Sequence, residues 1–161
     1  MTAIAFDELL RRLVGADVRF VLIGGLALGA WGVVRGTKDV DVVVDPDADN
    51  VMRLAEAAVE IGGTVQREDA LAGSARSIAT LLAEGKRVLI RTTVGTLDVV
   101  QGLDGVPTYA ALLDQAERVE VAGMQLLVCS LEDLRAMKRA AARPRDLVDL
   151  ADLDAAHGPE T

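Results

Sequence analysis

The longest uncharged apolar run, Phe20 to Val34, is fifteen residues long and carries four glycines between Arg19 and Arg35. A membrane span needs roughly 18–20 apolar residues, and interior glycines weaken a helix. The run must therefore be buried in pieces. Val18 to Ile23 reads as a buried strand that enters Gly24-Gly25, and a short helix of small residues follows from Leu26 to about Gly32. No membrane partner is expected. The acidic, amphipathic opening MTAIAFDELLRRL lacks the small-residue cleavage site of a signal peptide, so a cytoplasmic location is expected.

Similar patterning organises the rest. Phe6, Leu9, Leu10 and Leu13 keep helical spacing over Ala5 to Val14, with Gly15 as the stop. Val40, Val42, Val43 and Val44 make a second strand closed by Asp45-Pro46, and Asp49 or Asn50 can cap a helix over Val51 to Ile61. Ala75 to Ala83 reads as a helix. Val88 to Thr93 and Thr96 to Val100 read as a hairpin around Val94-Gly95. Thr108 caps a helix over Tyr109 to Ala116. Strands Val119 to Val121 and Met124 to Val128 pair around Ala122-Gly123, Ser130 opens a helix to about Ala142, and Pro144 restarts one over Leu147, Leu150 and Leu153. At 161 residues with no repeat or long linker, the expectation is one α/β domain, residues 1–161, with helices interleaved among mixed strands.

Composition limits the partners. The net charge of −8 repels a polyanion, and only Phe6, Phe20, Trp31 and Tyr109 are aromatic, too few for a base-stacking surface. Double-stranded DNA is not expected, and any phosphate ligand requires a local site. The single cysteine, Cys129, excludes an intramolecular disulfide and reads as a small buried hydrophobe. His157, the lone histidine, is expected to be solvent-exposed, and Trp31 to be packing.

Residues 24–41, GGLALGAWGVVRGTKDVD, concentrate the chemistry. Side chains alternate along a strand, so Asp39 and Asp41 point the same way with Val40 opposite. Two adjacent carboxylates repel unless a cation sits between them, and hard divalent ions such as Mg²⁺ prefer carboxylate oxygen. Asp98 lies between Leu97 and Val99 inside another strand, where an unpaired charge is expensive to bury. If the strands holding Asp41 and Asp98 are neighbours, the three acids converge, and three carboxylates can hold the two metal ions used in nucleotidyl or phosphoryl transfer. Gly24-Gly25 lets backbone N–H groups approach an anion closely.

Gly-Gly followed by Arg-x-Thr-x-Asp-x-Asp, with a later isolated strand Asp, resembles the nucleotidyltransferase superfamily of the polymerase β type, and within it the small bacterial branch of AbiEii-like toxins. The stretch LRAMKRAAARPRDLVDL from Leu134 to Leu150 resembles that branch too, and the likeness runs through nearly the whole chain. The resemblance implies a nucleotidyltransferase fold with C-terminal helices packed on the core. It also implies Mg²⁺-dependent transfer of a nucleoside monophosphate from an NTP to a hydroxyl of RNA (tRNA-like) or protein, and an antitoxin partner. Carried onto this chain, Gly24 and Gly25 would hold phosphates, Asp39 and Asp41 would bind metal, and Asp98 would complete the metal site and orient or deprotonate the attacking hydroxyl. Arg35, Thr37 and Lys138 would support the site or contact the triphosphate. Many members have Gly-Ser where this chain has Gly-Gly, which removes one hydroxyl contact.

The glycine spacing fits no register of the dinucleotide-binding GxGxxG, and no Gly-Lys-Ser/Thr follows to make a P-loop. Arg135, Lys138, Arg139, Arg143 and Arg145 place five cations in eleven residues. Arg135 and Arg139 read as a solvated helix face, Asp146 and Asp149 as helix N-terminal charge or ion-pair partners, and Lys138 as either part of that face or a contact to triphosphate or RNA. The rival function is a non-catalytic NTP-binding or interaction module of the same fold.

Overall fold

A computed structural model describes residues 2–160. The chain runs α1 (Thr2–Gly15), β1 (Phe20–Ile23), α2 (Gly24–Ala30), β2 (Asp39–Val44), α3 (Ala48–Glu60), β3 (Val65–Arg67), β4 (Ala70–Ala72), α4 (Ala75–Ala83), β5 (Val88–Thr92), β6 (Gly95–Val99), α5 (Tyr109–Gln115), β7 (Glu117–Val121), β8 (Met124–Val128), α6 (Leu131–Ala141) and α7 (Pro144–His157). Six strands form one mixed sheet in the order β5-β6-β2-β1-β8-β7, and β3 and β4 form a separate hairpin. The expected mixed α/β architecture is present. Among the described residues, no helix is long and apolar enough to cross a membrane.

The core is aliphatic. Val21, Leu22, Val40, Val42, Leu97 and Val99 in the central strands are completely buried, as the continuous apolar runs demand. α1 presents Phe6, Leu9, Leu10 and Leu13 to this core, and α1 packs on α3 and β6. A second group of helices covers the site: α2 packs on β1, β2 and α6, and α6 packs on α7.

Register does the work of convergence. β2 and β6 are parallel neighbours with Asp41 opposite Asp98, and β1 is antiparallel to β2 with Ile23 opposite Asp41. The strand end that carries Gly24 therefore lies beside the acids. The β5-β6 hairpin turns through Thr93-Val94, one residue earlier than the sequence suggests, because Thr92 pairs with Gly95.

Several local readings are corrected. α3 starts at Ala48 with Asp47 as its uncapped N-terminal residue, and Asn50 lies buried inside the helix. The Asn50 side chain accepts from the Arg19 backbone N–H at 2.6 Å and donates to the Arg19 and Asp45 carbonyls, tying α3 to the ends of β1 and β2. Asn50 thus satisfies backbone groups elsewhere in the fold. The β3-β4 hairpin was not expected, since strands of three residues around Glu68-Asp69 carry too little apolar alternation to register. In α7, Leu147 is exposed while Asp146, Asp149 and Leu153 are buried, so the inward stripe begins with carboxylates. Arg135 is also buried, reaching the Gly158 carbonyl at 2.5 Å and Asp154 at 3.3 Å, whereas Arg139 is exposed and pairs with Glu160. His157 is exposed as expected, yet its Nε2 donates to the Trp31 carbonyl and its ring meets Trp31 edge-on. Trp31 itself donates to the Cys129 carbonyl at 2.9 Å, and Cys129 is fully buried.

Candidate nucleotidyl-transfer site

Asp39 and Asp41 project from one face of β2, and Asp98 joins them from the adjacent strand β6. One oxygen from each lies within 4.8 Å of the others. Asp39 and Asp41 are partly buried and Asp98 is buried. They form the floor of a cleft of about 260 Å³ whose walls include Arg87, Lys138, Arg143 and Arg145, with Val100, Leu103, Val106 and Met137 on the apolar side.

Electrostatics set Asp41 apart. Burial pushes the Asp41 carboxyl up to about 7, the negative charges of Asp98 and Asp39 add to that rise, and Arg87 and Lys138 only partly offset it. Like charges at this separation favour a cation between them. The donor set is all carboxylate oxygen, which suits a hard divalent ion such as Mg²⁺ and not a soft metal.

The glycine pair is explained by this packing. Gly24 has φ +68°, and a Cβ there would lie 2.0 Å from Asp41 Oδ2 and 2.8 Å from Asp41 Cβ. A Cβ on Gly25 would meet Thr37 Cβ and Oγ1 at 2.7 Å. Any larger residue would evict Asp41 or Thr37. Gly24 lines the cleft; Gly25 is buried beneath it.

Arg35 and Thr37 are not among the residues that line the cleft. Both arms of Arg35 are taken by Asp149 of α7, with Nε to Oδ1 at 2.8 Å and Nη2 to Oδ2 at 2.9 Å. Thr37 Oγ1 donates to the Asp39 carbonyl at 3.2 Å, which steadies the start of β2. Lys138 does reach the cleft, but it is buried with its Nζ 2.8 Å from Asp149 and 3.4 Å from Asp146. Asp146 also accepts from the Arg143 backbone N–H at 3.0 Å and side-chain Nε at 2.7 Å. Asp146 and Asp149 are therefore ion-pair partners, as their sequence context suggests.

Sequence reading missed Arg87. It precedes β5 and closes a fork on Asp98, with Nε to Oδ1 at 2.9 Å and Nη2 to Oδ2 at 2.6 Å. Only the strand register could have revealed it: Leu89 pairs with Asp98, and Arg87, two residues away on the same face, reaches across the diagonal.

Comparison with known proteins shows the family and the fold. Residues 8–161 match the family described as nucleotidyl transferase AbiEii toxin, type IV toxin–antitoxin system. Among solved structures, a Thermotoga maritima protein assigned as a nucleotidyltransferase aligns with TM-score 0.57 at 16% identity, covering 91% of each chain. JHP933 from Helicobacter pylori aligns with TM-score 0.52 at 20% identity, over 96% of this chain and 67% of that one. The antibiotic-resistance factor ANT(2'')-Ia, solved with adenylyl-2''-tobramycin, aligns with TM-score 0.50 at 14% identity, over 92% and 97%. At such identities these likenesses establish the fold alone. No curated protein matches in sequence. With the match spanning all but the first seven residues, the chain belongs to the AbiEii family of nucleotidyltransferase toxins.

Proposed function

We propose that the chain acts as a single catalytic domain that takes an NTP and Mg²⁺ into the cleft and transfers the nucleoside monophosphate to a hydroxyl of RNA or protein. The observation that carries this reading is the meeting of Asp39, Asp41 and Asp98, from two neighbouring strands, within 4.8 Å at the floor of a cation-rimmed cleft. Asp39 and Asp41 hold the metal, and Asp98 completes the set. When bound, Mg²⁺ neutralises charge on the phosphates and lowers the barrier to attack at the α-phosphorus.

The residues of the chain do the rest. The acceptor hydroxyl oxygen attacks the α-phosphorus, the bond to the bridging oxygen breaks, and pyrophosphate leaves. Asp98 orients the hydroxyl or takes its proton. Gly24 gives the phosphates close access to backbone, and Lys138, Arg143 and Arg145 offset the charge of the departing pyrophosphate. The apolar wall of Leu103, Val106 and Met137 receives the base. Gly25, Thr37 and Arg35 serve the site from beneath, through the packing of Thr37 on Gly25 and the Arg35 fork on α7. In this reading the protein works in the cytoplasm beside an antitoxin partner.

Calorimetry tests the assignment: Asp39→Ala and Asp41→Ala should each lose measurable Mg²⁺-NTP binding while retaining a cooperative melt. Unchanged affinity in either variant refutes it. Labelled NTPs incubated with total RNA and lysate then separate catalysis from sensing. Label on an acceptor supports transfer, and binding without label favours the non-catalytic module.

A further inference from the structure

Of the three site carboxylates, Asp98 alone has both oxygens engaged by a protein cation; among the described residues Asp39 and Asp41 make no ion pair. The engagement is lopsided. Asp98 is buried, whereas the Arg87 side chain is 51% exposed and lies one residue outside β5, so it has solvent on one side into which it can swing. The other basic groups of known pairing are committed elsewhere, Lys138 to Asp146 and Asp149 and Arg143 to Asp146.

A guanidinium fork and a divalent ion compete for the same carboxylate lone pairs, and their charges repel. A metal ion that uses Asp98 must therefore loosen the fork, and the loosened guanidinium still stands at the cleft wall, where phosphates would lie.

We propose that Arg87 has two positions, a fork on Asp98 while the cleft is empty and a contact to the triphosphate once metal and nucleotide arrive together. This rests on the metal-dependent reading above. It makes Arg87 a positioning residue that keeps the site from holding an idle ion: metal alone must displace the fork without return, while metal with phosphates gives the guanidinium a new anion. By linkage, phosphate then strengthens metal binding as much as metal strengthens phosphate binding.

The test compares Mn²⁺ alone with Mn²⁺ plus inorganic tripolyphosphate, a base-free probe, by calorimetry and Mn²⁺ electron paramagnetic resonance. Arg87→Ala should bind Mn²⁺ alone roughly five- to tenfold more tightly, having lost a competitor of like charge. The same variant should bind tripolyphosphate in saturating Mn²⁺ about tenfold more weakly. Arg87→Lys keeps the charge but cannot span both oxygens, so it should restore tripolyphosphate affinity while leaving Mn²⁺ alone tighter than in the wild type. The opposite signs are the signature, since a merely structural role would move both affinities together. If the two affinities of Arg87→Ala shift in the same direction or not at all, or if Arg87→Lys fails to recover tripolyphosphate binding, the proposal falls. Asp41→Asn separates the two layers. If it binds Mn²⁺ like the wild type, the metal reading itself fails; if it loses Mn²⁺ while Arg87→Ala matches the wild type, only the role of Arg87 fails.

Discussion

Asp146 and Asp149 on α7 are completely buried, yet their surroundings act on them in the opposite sense from those of Asp41 on β2. For all three, burial is the largest single influence and raises the carboxyl. At Asp146 it is outweighed by hydrogen bonds from the Arg143 side chain and backbone and by the charges of Arg143 and Lys138. At Asp149 it is outweighed by Arg35 and Lys138, so both α7 acids end below the usual carboxylate range. Asp41 has acids for its nearest neighbours and ends near 7. The α7 acids are closed on the chain's own cations, which makes them part of the scaffold. Asp39 and Asp41 lack such closure, which the proposed metal site requires and a structural ion pair does not.

The largest effect should come from breaking the closed cluster. Asp149→Ala takes from the buried Lys138 the nearer of its two carboxylates, leaving Asp146 at 3.4 Å, and takes from the partly buried Arg35 its only carboxylate among the described residues. Removing one partner of a buried ion pair costs about 3–5 kcal/mol, and the remaining Asp146 contact puts this case at about 3 kcal/mol. Chemical denaturation should show a loss of this size, with α7 detaching from Arg35. A loss below about 1 kcal/mol would mean that water reaches the cluster and that the contrast with β2 is overdrawn.

The open cluster should respond with the opposite sign. Because the folded-state pKa of Asp41 is raised, its contribution to stability is full below the ordinary carboxylate range and is lost as pH rises towards about 7. Asp41→Asn removes that cost, so without divalent metal at pH 8 the variant should melt about 3–6 °C higher, corresponding to roughly 1–2 kcal/mol. It should also lose metal-dependent nucleotide binding. In the wild-type protein, metal affinity should climb between pH 6 and pH 8 as Asp41 gives up its proton. A pH-independent affinity across that window, or a lower melting temperature for Asp41→Asn, would show that Asp41 is already compensated.

What could be read from the sequence divides along the same line. The open cluster was legible because strand alternation places Asp39 and Asp41 on one face, and because Asp98 interrupts an apolar strand that had to be buried. The Gly24-Gly25 pair was legible as a place needing no side chain, although its immediate reason is room for Asp41 and Thr37. The closed cluster was not legible in detail. Hydrophobic periodicity assumes that the inward residues are apolar, so it selected Leu147 over Asp146 and Asp149 and placed Arg135 in solvent. Arg35 and Asp149 are 114 residues apart, and no local pattern encodes that encounter. Arg87 depends on the register of a hairpin whose turn was misplaced by one residue.

Arg143 is where the two clusters meet, and its removal should have the smallest effect on stability. Its bond to Asp146 is the main reason the guanidinium pKa is raised, and Arg143 also lines the cleft, where the charge of Asp41 adds to that rise. Its side chain is 57% exposed, and an exposed partner of an ion pair contributes less than about 1 kcal/mol. In Arg143→Ala the Asp146 carboxylate keeps Lys138 at 3.4 Å and the backbone N–H of residue 143 at 3.0 Å, so it is not orphaned. The variant should therefore melt within about 2 °C of the wild type. Its affinity for Mg²⁺-NTP should fall several-fold, because one of the cations facing the phosphates is gone. A large loss of stability with unchanged nucleotide affinity would assign Arg143 wholly to the scaffold, and the cleft would then have to hold its phosphates with Lys138, Arg145 and Arg87.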